Sequence, residues 1–204
     1  NLTPFDIQFN ENRSFFTEGT ELFSKGGLFY SRRIGVEPVY FKDYFLSSND
    51  KVIKDPAESK LINATKVSGR TQKGLGIGIL NAITKPRYAT IEDINTKEQH
   101  KIQTEPLTNY NVLVLDQTLK YNSSVSLVNT NVWRSGSAYD ANVTAGLFSF
   151  NDKKNMWNVS GKAAVSNQIG YDANGKTVTG YSQNLSFGKT SGRFNFGIFQ
   201  DITD

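Results

Sequence analysis

The spacing of the turns constrains this chain more than any single residue in it. From residue 61 onward, eight strand-like runs follow one another, at approximately 61–68, 74–84, 110–120, 123–133, 141–150, 156–166, 178–188 and 193–202. Most have the roughly 9–11 residues that a tilted strand needs to cross a bilayer. Their connections alternate. Short ones fall at 69–73, 121–122, 151–155 and 189–192, and long ones at roughly 85–109, 134–140 and 167–177. In an up-and-down arrangement successive turns lie at opposite ends. All the short turns then gather on one rim and all the long loops on the other, as in outer-membrane barrels.

Side-chain alternation supports this reading. Trp157, Val159, Ala163 and Val165 share one face of their run, and Asn158, Ser160 and Lys162 the other. Tyr181, Leu185 and Phe187 oppose Gly180, Ser182, Asn184 and Ser186. Phe194, Phe196, Ile198 and Ile202 oppose Arg193, Asn195 and Asp201. A period of two means that one face meets an apolar medium and the other a polar one. A soluble β-sandwich alternates in the same way. The polar face here, however, is small and neutral more than it is a lysine–glutamate mixture, which suits a wet barrel interior. Asn158, Ser160, Lys162, Asn184 and Ser186 are therefore the candidate lumen-facing residues. Tyr110, Trp133, Phe150, Trp157 and Tyr181 stand near strand ends, where an interfacial girdle belongs. All five prolines (Pro4, Pro38, Pro56, Pro86 and Pro106) precede residue 107. The proline-free remainder is thus open to continuous sheet. Residues 1–60 read as a lead-in and 61–204 as barrel strands.

Composition narrows the functional classes. With 204 residues the chain can build a real core. It has no cysteine, hence no disulfide framework or thiolate metal site, and one histidine, His100. A net charge of +4, scattered along the chain, is no nucleic-acid footprint. No apolar run is long enough for a transmembrane helix. The opening Asn1-Leu2-Thr3-Pro4-Phe5 lacks the features of a signal peptide, so a processed or partial chain is expected.

Few motifs carry chemistry. Gly74-Leu75-Gly76-Ile77-Gly78 lacks the full dinucleotide-loop spacing and fits a tightly packed strand face. Asp172-Ala173-Asn174-Gly175 lacks the closing glutamate of a calcium loop and reads as a turn. His100 stands among Lys97, Glu98 and Lys101 in the polar 85–109 stretch, with no second histidine to help hold a metal. The Asn-x-Ser/Thr triplets at Asn63, Asn142, Asn158 and Asn184 are expected by chance in so Asn/Ser/Thr-rich a sequence. Arg32-Arg33, beside aromatics, could clamp a carboxylate, phosphate or sugar acid. The more economical reading pairs them with Glu18, Glu21 or Glu37 to fix the segment in place.

The stretch Asn10–Gly35, NENRSFFTEGTELFSKGGLFYSRRIG, resembles the signature of domain of unknown function 5916. The matching positions include Phe15, Phe16, Glu18 and Gly19, then Phe29, Tyr30, Ser31, Arg32, Arg33 and Gly35. Asn1–Phe5, Lys66–Thr71, Glu105–Tyr110, Asn129–Val132 and Gly188–Arg193 also resemble family segments, in order along the whole chain. Pro4 and Thr17 depart from the usual arginine and leucine.

The resemblance implies a partial outer-membrane β-barrel of Bacteroidota-type bacteria. It further implies a preceding module similar to family-9 carbohydrate-binding domains, and more strands after Asp204. It supplies no catalytic residues. The expectation is therefore an all-β, antiparallel up-and-down transmembrane barrel in the cell outer membrane, non-enzymatic and without cofactor. Its partners would be outer-membrane lipid, a polar or glycan-like solute, or envelope proteins, and not nucleic acid. A non-conducting scaffold and a secreted β-sandwich binding module are the alternatives. The signature segment is expected as a helix or turn over 15–23 and a strand over 27–35, with Arg32 and Arg33 anchoring it through acids on neighbouring strands.

Overall fold

The computed structural model describes residues 11–35, 37–171 and 174–204. The Asn1–Phe5 motif and the Asp172-Ala173 half of the candidate calcium loop lie outside the described residues. The chain is all-β and antiparallel. The described residues form eleven strands: β1 (Asp50–Lys54), β2 (Leu61–Arg70), β3 (Leu75–Thr84), β4 (Arg87–Asp93), β5 (Gln99–Glu105), β6 (Thr108–Thr118), β7 (Ser124–Arg134), β8 (Asp140–Asn151), β9 (Trp157–Ile169), β10 (Val178–Lys189) and β11 (Phe196–Thr203).

Eight of them form one sheet in the order β11-β10-β9-β8-β7-β6-β3-β2, a meander in which sequence neighbours pair. These are the eight runs expected from the turn spacing, with ends shifted by a few residues. The short connections close as hairpins. Between β6 and β7, Tyr121 and Asn122 both take positive φ, 61° and 55°. This is the backbone that a two-residue turn needs to match strand twist. Between β8 and β9 the Asp152 carboxylate accepts the N–H groups of Met156 (2.6 Å) and Trp157 (2.9 Å) and so closes the turn. The same bonds hold this carboxyl below the usual range, with the Trp157 N–H the largest cause.

The 85–109 stretch corrects the expectation of a long loop. It contains the β4–β5 hairpin, which pairs with β1 in a separate three-stranded sheet of order β1-β4-β5. Ala89 and Ile91 of β4 are fully buried. The turn is shaped by Asp93, whose carboxylate accepts the N–H groups of Asn95 and Thr96, both at 2.8 Å. His100 is an exposed residue of β5, opposite Ile91.

The two faces of the large sheet differ. One is covered by the lead-in segment and carries the core: Leu80 and Ala82 of β3, Val112 and Val114 of β6 and Val128 of β7 pack against Phe16, Leu22, Phe23 and Ile34. The other face is bare among the described residues. Ile77 and Ile79 of β3, Leu113 of β6, Val125 and Leu127 of β7, Val165 of β9 and Leu185 of β10 are all exposed there. Tyr110 turns to the covered face and packs against the core, which corrects its place in the aromatic girdle. Trp133, Phe150, Trp157 and Tyr181 are exposed on the bare face. At the short-turn end Trp157 stacks on Phe187 at 5.6 Å, with Phe196 at 5.9 Å from Trp157. At the other end Tyr139 and Tyr171 meet edge-on at 4.9 Å.

One row of the bare face is polar across seven strands. Thr65, Asn81, Asn111, Asn131, Asn142, Asn167 and Thr179 stand directly opposite one another, pair by pair, from β2 to β10. Within it Asn81 donates to the Asn111 side-chain oxygen at 2.8 Å, and Thr179 to that of Asn167 at 2.8 Å. The aliphatic and aromatic side chains lie mostly between this row and the short turns.

Candidate functional site

The site is the lead-in segment and the part of the sheet beneath it. Ser14–Thr17 form one short helical turn, α1. It places Phe15 and Phe16 edge-to-face at 5.0 Å and buries Phe16. Residues Lys25–Gly27 and Ser31–Arg33 form two 3₁₀ turns. The expected strand over 27–35 is therefore absent. In its place Ile34 is driven into the core, with the chain bending at Gly35 (φ 85°).

Arg13 ties the segment to itself. Its guanidinium donates to the Ile34 carbonyl at 2.7 Å and the Ser31 carbonyl at 2.9 Å, and lies over the Phe16 ring at 4.3 Å. It also meets Glu11 in a two-pronged pair, Nε at 2.9 Å and a terminal nitrogen at 2.7 Å. The Ser31 hydroxyl donates to the same carboxylate at 2.7 Å. The hydrogen bond from the Arg13 side chain is the largest cause that lowers the Glu11 carboxyl to about 2, against the opposing cost of burial. Planar guanidinium and carboxylate meeting in this way give geometric specificity as well as energy.

The sheet holds the segment from beneath. Lys66 on β2 donates its ammonium to the carbonyl of Phe15 at 2.6 Å and to that of Glu18. Gly76 and Gly78 of β3 leave the space that Leu22 and Phe23 occupy. A Cβ on Gly76 would come within 2.9 Å of the Leu22 side chain, and one on Gly78 within 3.3 Å of Phe23. The glycine repeat of β3 is thus a packing seat. Asp116 on β6 is the polar hub, with its side chain only 1% exposed. It accepts from Arg70 of β2 at 2.6 Å and from Ser126 of β7 at 2.7 Å, and meets Lys25 of the lead-in at 3.1 Å. Arg70 also reaches Glu21 at 3.5 Å. At the far end of the lead-in Glu105, buried, accepts the Val39 N–H at 2.7 Å and the Thr108 hydroxyl at 2.8 Å.

Two hollows flank the segment. One, of about 460 Å³, is lined by Glu11, Arg13, Arg32, Gly35, Glu37 and Glu58 among others. The second, of about 360 Å³, opens where Lys25-Gly26 crosses β7 to β10. Lys162 of β9 donates across it to the Gly26 carbonyl at 3.3 Å.

The structure brings most of the singled-out residues together. Phe15, Phe16, Glu18, Gly19, Phe29, Tyr30, Ser31, Arg32, Arg33 and Gly35 all belong to the packed segment; Phe15 and Phe29 border its core. Ser160, Lys162 and Asn184 line the second hollow, and Asn158 and Ser186 share their face, Ser186 opposite Ser160. Arg13 and Asp116 are the organisers that the sequence reading passed over. Asp116 was detectable as an acid that directly follows the aliphatic run Val112-Leu113-Val114-Leu115 within one strand-like stretch. Arg13 carried no signal beyond its place next to the Phe15-Phe16 pair.

An antiparallel wall with a bare apolar face, and a lead-in packed on the other, defines the structural class. The family model described as Domain of unknown function (DUF5916) matches residues 1–204, and the chain belongs to that family. No curated protein and no solved structure matches the chain.

Proposed function

We propose that this chain forms part of the wall of a transmembrane β-barrel in the cell outer membrane, with the lead-in segment lying on its lumen side. The bare face carries the proposal. Large apolar side chains such as Val67 (64% exposed), Ile79 (50%) and Ile198 (66%) spread across the sheet with no described residue over them. An apolar surface extending over most of the strands of a sheet is far larger than a water-soluble monomer presents, and lipid is its natural solvent. The aromatic groups near both ends of the strands fit interfacial positions.

In this reading the covered face is the lumen wall, and the barrel serves passage of a polar or glycan-like solute or works within an envelope complex. The lead-in acts as a plug whose position sets the opening. No catalytic residue and no cofactor is assigned. Full-length protein from isolated outer membranes should migrate differently on a gel before and after boiling. Protein found in the soluble fraction, with no shift, sinks the proposal and leaves a secreted β-sandwich binding module.

A second reading rests on Phe16, Leu22 and Phe23, which fill the covered face over β3 and β6. A filled lumen favours a non-conducting scaffold for envelope partners. Planar-bilayer conductance separates the two, since the scaffold passes no current.

A further inference from the structure

The hollow between the lead-in turn and β7–β10 has a chemistry of its own. Its floor is built from serine hydroxyls on neighbouring strands, among them Ser126, Ser149 and Ser160, with the Asn184 carboxamide beside them. The ionisable groups of its lining are Lys25 and Lys162, both cationic. Lys25 is committed to Asp116 at 3.1 Å. Lys162 has only the long bond to the Gly26 carbonyl and, among the described residues, no carboxylate partner. The Ser160 hydroxyl and the Asn184 amide likewise make no side-chain hydrogen bond among the described residues. The other hollow differs, for Glu11, Glu37 and Glu58 there outnumber Arg13 and Arg32.

We propose that this hollow is a binding site for a small polyhydroxylated anion, a sugar bearing a carboxylate or a phosphate. Lys162 meets the charge, and Ser149, Ser160 and Asn184 meet the hydroxyls. A volume of about 360 Å³ is that of a small-ligand site. Hydroxyls and amides fixed on a rigid sheet discriminate by position, because a ligand lacking the matching hydroxyls leaves them without that partner. An ammonium with no carboxylate partner among the described residues, held only by the Gly26 carbonyl, adds a charge-assisted bond.

The position of the site gives it a second property. The Gly26 carbonyl that holds Lys162 belongs to the lead-in, and Gly26 also packs against Leu147, whose side chain a Cβ there would meet at 2.8 Å. An anion that draws the Lys162 ammonium away from this carbonyl removes one of the contacts holding the lead-in turn on the sheet. Ligand capture and release of the plug are thus linked through one side chain.

The inference rests on the covered face being a solute-facing wall, and its test is separable from that reading. Full-length protein in detergent that shows the heat-dependent gel shift is titrated with D-glucuronate, D-glucose 6-phosphate and D-glucose. At least one charged sugar should bind tenfold or more tightly than glucose. Lys162→Gln should erase that margin and Lys162→Arg should keep it, with the gel shift retained in both. Binding of both charged sugars no tighter than glucose overturns the site, as does a margin that survives Lys162→Gln. Acetate or inorganic phosphate binding as tightly as its sugar counterpart also overturns it, because the hydroxyl lining would then contribute nothing. Loss of the gel shift in the unsubstituted protein sinks the barrel reading instead, whatever the titration gives.

Discussion

β3 and β11 are read from the same kind of sequence and end in opposite conditions. On β3 every second residue from Gly76 to Thr84 is buried; on β11 nearly every residue is exposed, including Phe199 at 78% on the face that the lead-in covers elsewhere. The strands differ little in alternation. They differ in what lies on them, since Leu22 and Phe23 sit on β3 and no described residue covers β11 in the same way. Period-two alternation therefore specifies which face a side chain takes, while burial is decided by the segment that arrives from elsewhere in the chain.

The strongest way to break this contrast is at the seat itself. Phe23→Ala should cost about 3–5 kcal/mol in unfolding free energy, read as a lowered denaturation midpoint in detergent. A loss no larger than that of a surface substitution would mean the lead-in is not a core element. The bare face offers the next largest effect. Ile79→Lys should cost about 2–4 kcal/mol in a bilayer if the face is lipid-exposed near the midplane. Unchanged refolding into vesicles would place that face in water.

Asp116→Asn removes the charge that Arg70 and Lys25 share while keeping the shape, and should cost about 2 kcal/mol. Proteolysis within 11–35 should rise in step, and a stable segment in this variant would show that the hub is incidental. A smaller, pH-dependent effect follows from Glu11. Its carboxyl is lowered from the ordinary 4.5 to about 2 in the folded chain. The unfolded chain thus binds the proton more readily between these values. The stabilisation is fully present above about pH 4.5 and is lost as pH falls towards 2. Pepsin cleavage near Ser31 should increase over that window, and Glu11→Gln should flatten the dependence. The smallest effect is expected at the other pole of the contrast. Phe199→Ala should change stability by less than about 0.5 kcal/mol, and a large loss would reveal a cover on β11.

Much of the architecture was legible in the sequence because it is local. Hairpin turns such as Tyr121-Asn122 and Asn151–Asn155 punctuate the chain, and alternation supplies the rest. The β4–β5 hairpin was missed because its strands are short and carry charge on both sides, as in Gln99-His100-Lys101, so it reads as solvated loop. Its Asp93-x-Asn95-Thr96 turn was the signal that could have revealed it. The 27–35 segment was misread for the opposite reason. Leu28-Phe29-Tyr30 has strand-like residues, but the Arg13 bonds to the carbonyls of Ser31 and Ile34 fold it into a turn. Such a contact, made 18 and 21 residues away, leaves no periodic trace.

The asparagine row has a consequence for how the wall is assembled. A strand that slips by one residue turns all its side chains over, and the hydrophobic pattern rejects the error at once. A slip by two residues keeps every side chain on its proper face, so that pattern is blind to it. The row is not. Moving β9 by two residues against β8 would set the Asn142 amide opposite Val165 or Ile169 in place of Asn167. Its donors and acceptors would then face hydrocarbon where a matching amide had been. At this strand pair the row marks the one class of misalignment that greasy and polar alternation cannot detect, whereas at β3–β6 and β6–β7 a two-residue slip in one direction brings Asn109 opposite Asn81 or Asn129 opposite Asn111.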